Sequence, residues 1–467
     1  MLLDQQRAPL YEAASRYRDQ VRGPFHVPGH KLGAAAPSAL RAEFGRALGL
    51  DLTEVPGLDD LHAPEGAIAE AEALAAEAFG ATTSYLLVGG TTAGLHALLL
   101  AAVQPGEAIL VPRNAHRSIL GAIILAGARP VWAPVQFHPE LDVATGVDPR
   151  AFTKLLPGVK ATLLVHPTYY GMVSDLAPLI EAAHGHALPV LVDEAHGSHF
   201  HFHPDLPPDA LSLGADGVVQ STHKTGGSLT QSSLCHLGQG ARLSGARLRE
   251  MLRLVQSTSP SYLLMASLDL ARRHLAMHGR VEWGRTLELA SGAARRIAEL
   301  PGLRVYPTAD PTKLLIGVGG RRLTGFAAAE LLWQSGIAVE TAGQGYMLAV
   351  MTPGDSVDTI EFLVQALAKL PQGNQAPPTW APPPIPEAVL LPREAYLGAK
   401  EGVSLTAAIG RIAAEMIAPY PPGIPVVVPG ERISSDLVEY LQVGRGLGAH
   451  FQGPSDPTLT RIQVVKE

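Results

Sequence analysis

GVVQSTHKTGGSLTQSS (217–233) starts as a β-branched run, passes through one lysine, Lys224, and ends among glycines and hydroxyls. A lysine placed where a strand gives way to a glycine turn, near a pocket, sheds its proton more readily than a solvated one, and a neutral amine forms Schiff bases. The chain holds only eight lysines among its 36 Lys and Arg residues, which makes this one easier to notice. A plain solvated lysine is the alternative at this position, so the reading depends on what the rest of the chain brings beside it.

Outward from this stretch, helical and strand periods alternate from about residue 67. AIAEAEALAAEAFG reads as a helix, SYLLV (84–88) as a strand, TTAGLHALLLAAV as a helix, AILVP (108–112) as a strand, HRSILGAIILAG as a helix and PVWAPV as a strand. The pattern continues through ATLLVHP (161–167), LIEAAHGHA, PVLVDEA (189–195) and GVVQSTHK (217–224). Short apolar strands separated by helices of about ten or more residues predict an α/β fold with a mostly parallel sheet covered on both faces. Ligands of such sheets sit at the carboxyl ends of the strands.

Two further segments fall at strand ends. GGTTAG (89–94) follows strand 84–88 and opens an apolar helix, so the backbone N–H groups around Gly90, Thr91 and Thr92 suit an anion at a helix N-terminus. The segment has neither the Walker lysine nor the GxGxxG spacing, and a glycine-eased turn explains it equally well. In VLVDEAHG, Asp193 closes an apolar strand; a carboxylate there calls for a cationic partner, while a helix-cap aspartate fits the same letters. Taken together, a phosphate cradle, an acid able to pair with a pyridinium nitrogen and a Schiff-base lysine form the set expected for pyridoxal 5'-phosphate (PLP).

Composition narrows the function classes. The chain has 467 residues, 46% hydrophobic and 17% charged, enough to bury a sizeable core. A formal net charge of −7 without long like-charge runs offers no basic stripe for nucleic-acid phosphates or anionic lipid. MLLDQQRAPLYEAASRYRDQ lacks the basic and apolar regions of a signal peptide, and no run of about 18 apolar residues occurs, so the expectation is a cytoplasmic protein with no membrane partner. The single cysteine, Cys235, excludes an internal disulfide and a cysteine-based zinc site. His199, His201 and His203 alternate in HGSHFHFHP and would share one face of an extended segment, a pattern able to take zinc or nickel, although no functional metal is expected.

Beyond about residue 265 the chain turns more helical, with SLDLARRHLAMHG and TLELASGAARRIAELPG ahead of the short strands LRVYP and KLLIGVG. PQGNQAPPTWAPPPIPEA (371–388) cannot sustain helix or sheet ladders and reads as an extended linker. The expected organisation is an N-terminal segment 1–65, a large cofactor-binding domain 66–270, a small α+β domain 271–370, the linker 371–388 and a C-terminal domain 389–467.

Over nearly its full length the chain resembles the Orn/Lys/Arg decarboxylases of the PLP-dependent fold type I, or aspartate-aminotransferase-like, superfamily. The matching segments are FHVPGHK (25–31), DDLHAPEGAIAEAE, GGTTAG, PRNAHRSI (112–119), HPTYYG (166–171), VDEAHGSH (192–199), STHKTGGSLTQSS, TSPSYLLMASLD (258–269) and PYPPGIPVVVPGE (419–431). The resemblance implies an α/β transferase fold with a mostly parallel seven-stranded sheet and smaller α+β domains. It also implies that Lys224 binds the cofactor's aldehyde, that Asp193 partners the pyridine nitrogen, that His116 stacks on the ring and that His196 lies near the ring oxygen or the substrate carboxylate. Gly90, Thr91, Thr92, Ser221 and His223 would serve the phosphate. The segment from Ser257 to Ser261, Ser259 included, would reach the cofactor of a second subunit, so that a homodimer shares its active sites.

The activity that the resemblance implies is decarboxylation of a basic amino acid: L-arginine to agmatine and CO₂ in polyamine biosynthesis, with lysine or ornithine as the alternative substrate. The distal cation calls for an acidic partner, and Glu415 and Glu431, flanking PYPPGIP, are the candidates, each equally readable as a surface charge or a structural ion pair. Large inducible members of the family carry an extra N-terminal domain that builds higher assemblies; this chain starts almost at FHVPGHK and resembles the short biosynthetic form. An aminotransferase, or a catalytically silent binding protein of the same fold, are the competing readings. The first would make a keto acid without CO₂, and the second would fail to bind PLP. His26, His30, Lys31 and His62 fall in matching segments and receive no role.

Overall fold

The computed structural model describes residues 3–141, 143–374, 380, 383–420 and 423–466. Seven strands form the main sheet: β1 (Thr83–Leu87), β2 (Ala108–Pro112), β3 (Arg129–Ala133), β4 (Ala161–Val165), β5 (Val190–Asp193), β6 (Gly217–Gln220) and β7 (Ser233–Leu237), in the order β1-β7-β6-β5-β4-β2-β3. β2 is parallel to β3 and β4, and β5 to β6, whereas β7 runs antiparallel to both β6 and β1. Every residue of β2 and β5 is buried, which is why AILVP and VLVD read as nearly continuous apolar runs instead of alternating ones, and every residue of β6 and β7 is buried as well.

The chain divides into two compact units, Met1–Ala102 with Ile180–Pro204 and Pro208–Val281, and Val103–Leu179 with Asp205–Pro207 and Glu282–Glu467. In the first unit, helix α1 (Pro9–Gln20) starts at an N-cap, Ala8, that has no side chain able to cap it. Asp269 supplies the missing acceptor from elsewhere in the chain: its Oδ2 takes the N–H groups of Leu10 at 3.0 Å and Tyr11 at 3.5 Å. Helix α2 (Ala67–Ala78) precedes β1, and α3 (Gly90–Ala102) follows it.

Two expectations change. The helical segments read on either side of residue 280 belong to one helix of 37 residues, Tyr262–Ala298, and the boundary expected at 270/271 lies inside it. No proline interrupts the join, and Gly279 there is packed: a Cβ would lie 3.0 Å from the Cβ of Phe202. The HGSHFHFHP segment is not extended, because Phe200–Phe202 forms a 3-10 turn, so the alternating histidines do not share a face. His199 is fully buried and His201 pairs with Asp209 at 3.0 Å.

The second unit carries two further cores. A four-stranded antiparallel sheet, β8 (Arg304–Tyr306), β9 (Lys313–Gly317), β10 (Thr341–Ala342) and β11 (Tyr346–Val350), has the order β8-β9-β11-β10 and packs Leu314, Ile316 and Met347 with Ile297, Val364 and Leu367. The C-terminal core gathers Leu437, Leu441, Phe451 and Ile462 around Trp380. Within the expected linker 371–388, residues 375–379, 381 and 382 lie outside the described residues, but Trp380 is only 6% exposed. Its ring stacks on Tyr440 at 4.7 Å and its Nε1–H donates to the Tyr440 carbonyl at 2.9 Å.

Candidate active site

β5 and β6 are parallel neighbours, with Asp193 opposite Val219, so the residues that follow both strands leave the same end of the sheet. The strand expected to run to residue 224 stops at Gln220, and Thr222–Thr225 is a single helical turn. The Lys224 N–H bonds to the Ser221 carbonyl at 2.9 Å, and the Gly226 N–H to that of Thr222 at 2.7 Å. A Cβ at Gly226 would lie 2.6 Å from Thr222 Cγ2, so only glycine lets the chain leave the turn this way. Lys224 is itself exposed, and its Nζ lies 2.8 Å from Nε2 of the buried His196.

Asp193 is 6% exposed, and its only hydrogen bond among the described residues comes from the Ala195 N–H to Oδ1 at 3.2 Å. Burial pushes its carboxyl upward, while the Lys224 charge and that N–H pull it back. Among the described residues its Oδ2 accepts no hydrogen bond.

The anion end of the site is built by α3. Gly90, at φ 69°, opens the helix with its N–H on the Gln231 carbonyl at 2.8 Å. A Cβ at Gly94 would lie 2.7 Å from both Leu87 Cδ1 and Val219 Cγ1, so α3 rests on β1 and β6 only because that residue is glycine. Thr91 and Thr92 occupy the first turn, where the helix dipole and free N–H groups favour an anion. Thr91 Oγ1 meets Ser221 Oγ at 3.1 Å. His223 Nδ1–H donates to the Ser232 carbonyl at 2.8 Å; burial pushes this imidazole down, as does the Lys224 charge, so it stays neutral near pH 7. The first unit therefore brings together Gly90, Thr91, Thr92, Asp193, His196, Ser221, His223 and Lys224. Ser259, in the same unit, is exposed, with its N–H on Ser257 Oγ at 3.2 Å, and His62 Nε2 meets the Ser257 carbonyl at 2.8 Å.

The second unit holds the other expected residues. His116 is the N-cap of the helix Arg117–Ala126; its Nδ1 accepts the Ser118 N–H at 3.2 Å. Gly423, at φ 87°, packs against this ring, and a Cβ there would lie 3.3 Å from His116 Nε2. Glu415 is buried with both oxygens on backbone donors, Gln463 N–H at 2.8 Å and Ser455 N–H at 2.7 Å. Glu431 is buried too, and its Oε2 accepts from Arg113 Nη2 at 3.0 Å and Val428 N–H at 2.9 Å. Burial pushes the Glu431 carboxyl up and Arg113 offsets it. Both oxygens of Glu415 are thus engaged, whereas Glu431 Oε1 is buried with no hydrogen-bond partner among the described residues.

One pair escaped the sequence reading. Tyr169 Oη donates to Glu340 Oε1 at 2.6 Å, and Glu340 is exposed. Tyr169 lies in HPTYYG, which was visible as a motif; nothing local to AVETAG marked Glu340. At the N-terminus, His30 Nε2 pairs with Asp51 at 3.0 Å and Lys31 Nζ donates to the His26 carbonyl at 2.6 Å. Among the described residues no group of three or more His, Cys, Asp or Glu is placed to hold a metal ion.

Residues 8–314 match the Orn/Lys/Arg decarboxylase major domain, and residues 381–457 the C-terminal domain of the same family. The chain belongs to the Orn/Lys/Arg decarboxylase family. It is similar to an arginine decarboxylase of Bacillus subtilis (strain 168), 39% identical over 486 aligned residues that cover 100% of this chain and 99% of that protein. An arginine decarboxylase of Halalkalibacterium halodurans is 39% identical over 484 residues, 99% of this chain and 98% of that one. The solved structure of E. coli constitutive lysine decarboxylase gives a TM-score of 0.84 at 22% identity, covering 99% of this chain and 82% of that chain. The α/β fold type I expected from the sequence is the fold observed, and the family makes the chain an enzyme of the decarboxylase class. Among the described residues no helix is long and apolar enough to cross a membrane.

Proposed function

We propose that this enzyme converts L-arginine to agmatine and CO₂ with PLP as its cofactor. The observation that carries the cofactor reading is the amine of Lys224 beside His196, within electrostatic range of a buried Asp193 that keeps one oxygen open. That donor set fits PLP: Lys224 for the aldehyde, Asp193 for the pyridine N–H, and the first turn of α3 with Thr91, Ser221 and His223 for the phosphate. By resemblance His116 adds a ring to stack against it. Bound there, PLP supplies a sink for the electron pair left on the substrate α-carbon when CO₂ departs.

The chain's own groups do the rest. Asp193, buried beside the Lys224 charge, would partner the pyridine nitrogen and keep it protonated. Lys224 would hold the aldehyde, and its Nζ, when not so engaged, would carry a proton that His196 Nε2 at 2.8 Å could exchange. Arginine is favoured because both curated relatives described above are named arginine decarboxylase at 39% identity. The reading includes a homodimer in which the Ser257–Ser261 segment completes the neighbour's site, and a cytoplasmic place in polyamine synthesis; both rest on the family resemblance.

Borohydride reduction of the PLP-loaded protein followed by peptide mapping tests the cofactor assignment. The label is expected on the peptide carrying Lys224; a label on another lysine, or none, contradicts it.

A further inference from the structure

Glu194 follows Asp193 directly and is fully buried, yet nothing in the chemistry above uses it. Its Oε1 accepts the Ala210 N–H at 2.8 Å, and its Oε2 lies 2.6 Å from Gln220 Nε2. Its backbone N–H bonds to the Val219 carbonyl at 2.9 Å, and its carbonyl accepts the Gly197 N–H at 3.0 Å. The two ends of this side-chain bridge sit one residue from the reacting groups on either side: Asp193 precedes Glu194, and Gln220 precedes the Ser221–Lys224 turn.

Asp209 and Asp193 are the charged groups that face Glu194, and Asp209 is itself held by His201. Burial and these two like charges push the Glu194 carboxyl well above the usual range, so it adds no second negative charge beside Asp193. Gln220 Oε1 has no hydrogen-bond partner in the amide orientation assigned to it. A separation of 2.6 Å is short for N–H···O and ordinary for O–H···O. With the Gln220 amide turned over, the protonated carboxyl donates to that otherwise orphaned oxygen.

We propose that Glu194 is a positioning residue for the reaction: by bridging Ala210 and Gln220 it fixes Asp193 at the end of β5 against the Ser221–Lys224 turn at the end of β6. The inference rests on the proposed PLP site. A carboxamide can make the same two bonds, accepting from Ala210 N–H and donating to Gln220 Oε1, whereas an aliphatic side chain can make neither.

The test compares PLP-loaded wild type, Glu194→Gln and Glu194→Leu by steady-state kinetics on L-arginine and by the pH midpoint of the bound-PLP absorption band. Glu194→Gln is expected to keep kcat and the band midpoint of the wild type. Glu194→Leu is expected to lose roughly 10- to 100-fold in kcat, the scale set by a small misplacement of reacting groups, with KM little changed and the band midpoint moved. A merely structural role would lower thermal stability and leave kcat and the midpoint alone. Should the leucine variant fail to fold, Gln220→Met breaks the bridge from its other end and is expected to show the same loss. A folded Glu194→Leu with wild-type kcat and midpoint would overturn the inference, as would a glutamine variant as damaged as the leucine one. Wild-type protein that takes up no PLP would instead sink the proposed function, which separates the two failures.

Discussion

Arg272→Met tests the reading of how the N-terminal helix is held. Asp269 and Arg272 are 0% and 1% exposed in their side chains, and they meet at 2.6 Å. The guanidinium also donates to the carbonyls of Gln5 at 3.1 Å and Arg7 at 2.6 Å, while the far oxygen of Asp269 caps α1. Removing Arg272 leaves a buried carboxylate without its cation and strips those carbonyls of a donor, a loss of about 3–5 kcal/mol. The double variant Asp269→Leu/Arg272→Met leaves no unpaired charge, though it loses the cap, about 1 kcal/mol, as well as the donor to those carbonyls, so it is expected to be more stable than Arg272→Met alone. Urea unfolding followed by circular dichroism, read at the first transition, gives the ranking wild type, double variant, single variant. A single variant as stable as wild type, or a double variant less stable than the single, would refute the buried-pair reasoning.

His236, buried with Nδ1 on Ser84 Oγ at 2.7 Å, is pushed down to about 3, so it stays neutral in the fold while the unfolded chain protonates it near 6.5. The unfolded state binds the extra proton between these values, and stability falls as pH falls through that window, by up to about 1.4 kcal/mol per unit. In thermal melts at pH 7 and pH 5, Ser84→Ala/His236→Phe is expected to show a smaller acid-induced drop than wild type; an equal drop would contradict this. Trp380→Ala, which empties a site stacked on Tyr440 and lined by Gly444, is expected to cost about 3–5 kcal/mol and to lower the unfolding midpoint of the C-terminal core, as read by chemical denaturation.

The parallel part of the sheet was legible because buried strands such as AILVP and VLVD have no polar face to hide and are spaced by helices. The antiparallel direction of β7 was not, since SLCHL looks the same whichever way its neighbours run. Lys224 and Asp193 could be singled out because each sits where an apolar strand ends. The helical turn that carries Lys224 could not, because no side-chain cap marks its start at Ser221 and the strand pattern simply runs into it. Glu415 and Glu431 showed up by position near a family motif, but their partners, Ser455, Gln463 and Arg113, lie 40 or more residues away in sequence and leave no local trace. Trp380 was hidden in a proline-rich stretch whose composition speaks for an extended chain, though a single buried aromatic is enough to anchor it.

The central claim is tested most directly by CO₂ release from L-arginine, L-lysine and L-ornithine, each supplied separately to the PLP-loaded enzyme and to Lys224→Ala. Rapid release from arginine, slower or absent release from the other two, and none from the variant is the result predicted here. No release from any of the three by wild-type protein that holds PLP would contradict it.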